Sequence, residues 1–412
     1  MSLSKPKIRD HRATDKSQRI LIFADWFEPG FRGGGLTRSC LNMASMLKHS
    51  NEVYVFTRNS DFKEELPYDG IESDRWLDFD MGIKTFYCSA GNLTRKTVKG
   101  IISDVSADII YLNSMYSYYF SILPLFINFR HTLNAKIILA PRGMLQEGAI
   151  RYKAFKKHIY LKFINLIGLL KGVRIHATCH EESIDIQKKL NIANPIILPD
   201  LPDLSVDQHF TGFKMTGQVK CLYLSRVTPK KNLQFLLKIL VNVTARVELK
   251  IIGGIDNEEY WHQCQQLIKI LPENIKVDYL GLMPHDQTTQ HIMDTHLIVL
   301  PTFGENFGHV IYESLSHSTP VLISDQTPWK NLSDDCAGWD IPLSHPEKFQ
   351  NVIEKVAAMD HDLYLEWTEG ALQRAKNYKQ ICRNSDGLRE LFNTTFHLNL
   401  SDIPAQNVIV QE

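Results

Sequence analysis

The sequence has no apolar run long enough to cross a bilayer. Its most apolar-looking stretch, YYFSILPLFINF at 118–129, is too short for a span and is interrupted by Pro124. The opening residues, MSLSKPKIRDHRATDKSQ, are polar and charged and lack the apolar segment of a secretory leader. No Cys-x-x-Cys occurs, and Cys40, Cys88, Cys179, Cys221, Cys264, Cys336 and Cys382 are scattered without metal-ligand spacing. They read as small buried hydrophobes in a reducing compartment. Neither sign of charge predominates, since 46 Lys and Arg balance 46 Asp and Glu. That balance counts against a nucleic-acid partner. No internal repeat or low-complexity tract is evident. The expectation is a cytoplasmic protein with a ragged N-terminal tail.

What is present is an alternation of short β-rich runs and helical patterns. With 412 residues, 44% of them hydrophobic and 22% charged, the chain is long enough for two ordinary globular domains. Segments 19–25, 52–57, 84–88, 108–114, 136–140 and 173–178 read as strands, and 36–48 and 181–190 as helices. A linker rich in Pro and Asp follows over 197–217. The alternation then restarts, with strands at 220–226, 247–254, 276–281, 297–302 and 320–324 separated by helices. Near-continuous apolar strands between helices indicate parallel sheets covered on both faces. The expected fold class is α/β, with two Rossmann-like doubly wound domains facing each other across a cleft, the default ligand site. Residues 1–18 read as a disordered tail, 19–200 as the first domain and 218–380 as the second. Residues 381–412 read as a C-terminal helix and tail, and a crossing back to the first domain is one course open to them.

Three strand–helix junctions carry chemistry. FEPGFRGGGLTRS (27–39) puts glycines where the backbone can approach a ligand and where a helix N-terminus offers N–H groups to an anion; the bland alternative is a flexible turn. SRVTPKKN (225–232) places Arg226 and Lys231 beyond a buried strand, suiting a diphosphate, with Asn232 available to cap the next helix. A basic surface turn would look the same. FGENFGHVIYE (303–313) places Glu305 in the turn and Glu313 in the helix, eight positions apart and roughly on one side. Their carboxylates can accept hydrogen bonds from sugar hydroxyls, while the amides of Asn306, Phe307 and Gly308 face a phosphate. A helix-dipole acid and a solvated helix face are the plainer readings.

Together these motifs resemble the GT-B-fold retaining glycosyltransferases of family 4, the "glycosyl transferases group 1" class, over roughly residues 19–395. The E-x7-E pair Glu305 and Glu313 is the most diagnostic feature. Arg226 with Lys231 comes next, and then the turn at Gly34 and Gly35. PGFRGGGLTRS, APRGML (140–145), HATCHEE (176–182), ENFGHVIYESL and TPW (327–329) are similar to the subgroup found in bacterial O-antigen and exopolysaccharide assembly.

The resemblance implies transfer of a hexose from a UDP- or GDP-sugar to a glycan acceptor, one carried on a lipid diphosphate. By resemblance, the first domain (19–200) binds the acceptor and the second (218–380) the nucleotide sugar; Arg226 and Lys231 hold the donor diphosphate, Glu313 the ribose and Glu305 the donor sugar, with Gly34 and Gly35 closing over the phosphates. The base is expected near Gly254 and the 282–284 loop. Arg142 stands where many relatives carry a histidine and is assigned to phosphate or acceptor contact. No metal or other cofactor is expected, and the D-x-D of "DFD" (78–80) reads as a coincidence in a loop. His176 and His180 form no H-E-x-x-H. The segment 151–174 has seven Lys and Arg and no acid, so it reads as a basic amphipathic helix for an anionic membrane surface. Two other readings stand beside transfer: a GT-B sugar-nucleotide epimerase or hydrolase, and an inactive nucleotide-sugar-binding protein.

Overall fold

The apolar segments become the central strands of two separate sheets. In this computed structural model, residues 17–79, 82–131, 133–146, 150, 154–201, 203, 209–210, 212–383 and 386–392 are described. The first sheet contains β1 (Arg19–Phe23), β2 (Glu52–Arg58), β3 (Trp76–Phe79), β4 (Ile83–Cys88), β5 (Ile109–Leu112), β6 (Lys136–Leu139), β7 (Arg174–Ala177) and β8 (Ile196–Ile197). Its order is β3-β4-β2-β1-β5-β6-β7-β8, parallel except for β3 against β4. The second sheet contains β9 (Gln218–Leu224), β10 (Arg246–Ile252), β11 (Ile275–Gly281), β12 (Leu297–Leu300), β13 (Val321–Ser324) and β14 (Gly338–Ile341). Its order is β11-β10-β9-β12-β13-β14, parallel throughout.

Strand β1 shows why the runs are nearly all apolar. Leu21 and Phe23 pack into the core on one face of the sheet, while Ile20 and Ile22 pack into the core on the other. Alternate side chains leave opposite faces, so a strand covered on both sides needs apolar residues at successive positions.

Each sheet reverses its strand order once, between β1 and β5 in the first and between β9 and β12 in the second. A crevice opens at such a point, beyond the carboxyl ends of the two strands, because their following helices leave in opposite directions.

Some expectations are corrected. "DFD" is not in a loop: Asp78 and Phe79 belong to edge strand β3, where Asp78 pairs with Lys84; Asp80 lies outside the described residues. The stretch broken by Pro124 is helical, with a π-helical turn Tyr118–Ile122 running into the helix Leu123–His131. The wider π turn carries the chain into the helix past Pro124, which has no N–H to donate. The helix Arg95–Val105 was not anticipated at all. Among the described residues of the basic segment, the helix runs over Ala154–Ile167. Asn232 takes the left-handed conformation and makes no side-chain cap bond.

The last long helix, His361–Arg383, joins both cores: Tyr364 and Trp367 pack in the second, and Cys382 in the first. The helix Asp386–Phe392 then lies on the first sheet, where Phe392 stacks on Tyr111 at 5.9 Å and Arg174 donates to the carbonyls of Glu390 and Leu391. The expected tails, 1–18 and 381–412, otherwise lie largely outside the described residues.

Candidate functional site

The reversal in the second sheet gathers the predicted charges. Arg226 and Lys231 follow β9, and Pro301–Gly308 follows β12, so two neighbouring strands aim both loops into one crevice. Lys231 Nζ is in contact with Glu305 Oε1, and both side chains are largely buried. Arg226 Nη1 donates to Asp256 Oδ2 at 2.8 Å, and Asp256 also receives Lys63 Nζ from the first domain at 3.1 Å. Lys230, which sequence reasoning passed over in the same PKK run, lies beside them. Burial lowers its ammonium pKa, against the pull of Glu305.

The loop itself is held from behind. The Phe307 ring is buried among His309, Tyr312, Trp329 and Tyr378. Trp329 Nε1 donates to the Phe307 carbonyl at 2.7 Å, which accounts for the TPW motif. Gly308 has φ 83°, a left-handed value that only glycine adopts without cost. Among the described residues, nothing accepts a hydrogen bond from the amides of Asn306, Phe307 or Gly308. These amides sit at the start of the helix His309–Ser316, where the helix dipole favours negative charge.

Glu313 lies in that helix and faces the first domain. It is buried, with only 13% of its side chain exposed. His285 Nε2 is 3.0 Å and Arg38 Nε 3.9 Å from its Oε1. Arg38 Nη2 is 2.5 Å from His285 Nδ1 and 2.9 Å from its Nε2, so the guanidinium lies against the ring that faces Glu313. Burial alone would raise the carboxyl pKa of Glu313. The hydrogen bond from His285, with the charges of His285, Arg38 and His309, outweighs it and brings the value down to about 2. Glu313 is therefore a fixed anion, poised to accept hydrogen bonds.

From the first domain, Gly34 turns with φ 64° at the N-terminus of the helix Gly35–Leu47. A Cβ on Gly35 would stand 3.0 Å from His309 Cδ2, so a larger residue would prise the two domains apart here. Ser39 Oγ meets His309 Nε2 at 2.8 Å. Asn306 Nδ2 donates to Thr178 Oγ1 at 2.7 Å, and Glu182 accepts from Thr178 N and Oγ1 and from Gly143 N. The APRGML and HATCHEE motifs thus brace the Glu305 loop across the interface.

Arg142 is held by three protein partners. Its Nε donates to Asn113 at 2.7 Å and its Nη2 to Tyr111 Oη at 2.9 Å, while Nη1 contacts Asp200. All three nitrogens have protein partners, and Arg142 also lines the cavity that holds Lys231 and Glu305. Burial disfavours the charge, yet Asp200 holds Arg142 protonated well above its ordinary range. Burial likewise pushes Asp200 up, and Arg142 outweighs it and holds the carboxyl low. Asp200, read from sequence as linker, is the counter-ion of this centre. His176 is the next layer, bonded to Tyr111 Oη and the Leu198 carbonyl; burial and Arg142 bring it down to about 3.

Two cavities meet in the cleft. One of about 170 Å³ is lined by Phe31, Arg38, Gly253, Met283, His285 and Glu313. The other, of about 310 Å³, is lined by Lys230, Lys231, Glu305, Asn306, Phe307 and Gly308. They share Gly34, Gly35, Arg226 and His309. Gly253 lines the first cavity, one residue before the expected Gly254. Among the described residues, no group of three or more His, Cys, Asp or Glu could hold a metal ion.

Residues 207–380 match the model of the family described as Glycosyl transferases group 1. The chain is 27% identical to an uncharacterized glycosyltransferase of Methanocaldococcus jannaschii over 105 residues, 25% of this chain and 26% of that protein. It is 26% identical to O-antigen chain mannosyltransferase B of Escherichia coli over 129 residues, 30% of this chain and 33% of that protein. The chain thus spans about a quarter to a third of the length of these curated relatives. Its fold is similar to that of HepE from Anabaena in complex with UDP-glucose, with a TM-score of 0.61, 14% identity, and coverage of 87% of this chain and 95% of that one.

Proposed function

We propose that this chain, whose residues 207–380 form a glycosyl transferases group 1 domain within a GT-B fold, is a retaining hexosyltransferase. It would move a sugar from a nucleotide-diphosphate sugar to a lipid-linked O-antigen or exopolysaccharide intermediate. One observation carries the reading: the two cavities share a rim of Gly34, Gly35 and Arg226, with Glu313 on one side and Lys231 and Glu305 on the other. A diphosphate lies across that rim, its charge met by Arg226, Lys231 and the amides of Asn306–Gly308. The nucleoside enters the smaller cavity, where Glu313 accepts from ribose hydroxyls. The donor sugar enters the larger one, where Glu305 accepts from its hydroxyls. The UDP-glucose bound by HepE and the O-antigen role of the Escherichia coli relative support the substrate classes.

The chemistry then follows from charge placement. As the bond from the sugar C1 to the phosphate oxygen breaks, negative charge grows on the diphosphate, and preorganised cations and amides stabilise it. The acceptor oxygen attacks C1 from the same face, and its proton passes to the departing phosphate oxygen. Glu305 positions the sugar and forms no bond to it. Arg142 is a positioning residue in the wall of the larger cavity, bonded to Asn113 and Asp200. A thermal-shift screen of UDP- and GDP-sugars tests the donor assignment, because a ligand that binds only the folded state raises Tm. One base series is expected to raise Tm by several degrees, and no shift with either series would refute the reading.

An anionic membrane surface is the proposed site of action. The helix Ala154–Ile167 exposes Phe155, Ile159, Phe163 and Leu166, a stripe at helical spacing, beside exposed Lys156 and Lys162. Its other side buries Leu161 and Ile164. Among the described residues, no helix is long and apolar enough to cross a membrane. Changing Phe155 and Leu166 together to serine is expected to weaken co-flotation with phosphatidylglycerol vesicles by about tenfold or more, with Tm unchanged. Equal flotation of the variant would remove this surface from the account.

A further inference from the structure

The smaller cavity holds one carboxylate that nothing above uses. Most ionisable side chains in its wall are engaged. Arg32 pairs with Glu64 at 2.8 Å, and Arg226 with Asp256. Arg38 and His285 meet Glu313, and His309 meets Ser39 Oγ. Glu28 also lines the cavity. Among the described residues, no hydrogen bond or ion pair reaches its carboxylate. Burial raises its carboxyl pKa, against the charges of Arg38 and His285, as expected of a carboxylate short of donors.

The turn that carries Glu28 is fixed before any ligand arrives. The Glu28 carbonyl accepts from Tyr87 Oη, and Gly30 N donates to the Phe27 carbonyl at 2.9 Å. Buried Asp61 accepts from the amides of Phe31 and Arg32 at 2.8 and 3.0 Å. Glu28 and Phe31 therefore form a set wall on the first-domain side. Gly253, Leu282 and Met283 line the same cavity from the second domain, the region expected to meet the base.

A carboxylate offers two acceptors side by side and no donor. Guanine presents two donors side by side, N1–H and the N2 amino group, and matches it bidentately. Uracil presents a single donor, N3–H, between two carbonyl oxygens that would face the carboxylate. Adenine and cytosine each set one amino donor beside an acceptor nitrogen. A wrong base would leave the Glu28 carboxylate desolvated and unpaired, which rejects it actively.

We propose that the nucleoside cavity selects guanine, and that Glu28 makes the choice by accepting from N1–H and the N2 amino group. The inference rests on the donor reading and adds the base and its specificity residue to it. Glu313 holds the ribose and Glu28 reads the base, so the nucleoside is gripped from both domains.

The experiment is titration calorimetry on the full chain with GDP, inosine diphosphate, UDP and ADP. Inosine diphosphate is GDP without the N2 amino group. Wild type is expected to bind it about tenfold more weakly than GDP, and to bind UDP and ADP about a hundredfold more weakly or worse. Glu28→Gln keeps the shape but turns a donor toward guanine. It is expected to weaken GDP by about tenfold or more and to remove most of the preference over inosine diphosphate, with inorganic pyrophosphate within about twofold of wild type. UDP or ADP bound by wild type as tightly as GDP would overturn the guanine assignment, and that ranking needs no variant. A guanine preference that persists in Glu28→Gln would overturn the role of Glu28. Wild type that binds none of the four would instead refute the donor reading, so the failures are distinguishable.

Discussion

Replacing Lys231 with alanine is expected to lower kcat/KM for the nucleotide sugar by about 10²–10³, the usual cost of removing one preorganised group that meets developing charge. Two losses combine. The diphosphate loses a cation at the point where its charge grows. Glu305, which contacts Lys231 and is itself largely buried, becomes an unpaired carboxylate beside an anionic substrate, and removing one partner of a buried pair is costly. Initial-rate measurements check this. A companion Glu305→Gln change in the Lys231→Ala background separates the two, because it removes the orphan charge and leaves the missing cation. If the double variant regains part of the donor affinity but little of kcat, repulsion weakened binding and the missing cation slowed the chemistry. A single variant within threefold of wild type would mean that the diphosphate lies elsewhere.

The second large effect is on stability. Arg142→Met is expected to destabilise the fold by about 3–5 kcal/mol, because Asp200 would keep a negative charge in the interior with no counter-ion. Tyr111 and Asn113 would lose their donors as well. Denaturant unfolding measures the loss. Arg142→Lys is expected to recover only part, since a single ammonium cannot reach Asn113, Tyr111 and Asp200 together. The sign with pH follows from Asp200, whose pKa is held below its unfolded value. Its contribution is present above the unfolded carboxylate pKa and is lost as pH falls through the lowered one. Arg142→Met should therefore lose less at low pH than at neutral pH. A variant as stable as wild type at neutral pH would show that Asp200 has another partner.

Much of this was legible in the chain, for identifiable reasons. β12 throughout, and β1 after its first residue Arg19, are apolar at every position because both faces of the sheet are covered, and that pattern survives without tertiary context. Arg226, Lys231 and Glu305 were legible because each lies in a turn that leaves a strand end, and Glu313 because it lies in the helix that follows, so chain order alone brings them to one crevice. Strand β3 escaped because it is a short edge strand with an aspartate at its centre, where solvent relaxes the apolar requirement. The helix Leu123–His131 escaped because Pro124 signals a break in mid-run, while a π-helical turn leads into the helix ahead of it. Arg142 with Asp200, and Arg38 and His285 around Glu313, escaped for a different reason. Their partners lie 28 positions away or more along the chain, and no local spacing encodes such a meeting. Asp200 was hidden further by its neighbours, since ILPDLPD has the composition of a linker.

The account stands or falls on one ligand bridging two cavities. Titration calorimetry with UDP, GDP and their sugars measures that directly on wild type, Lys231→Ala and Glu313→Gln. One nucleotide should bind wild type at one site per chain. Lys231→Ala should weaken the diphosphate by tenfold or more, and Glu313→Gln should weaken it through the ribose while leaving inorganic pyrophosphate unaffected. Nucleotide affinities that stay the same across all three proteins would contradict the placement of the donor between Lys231 and Glu313.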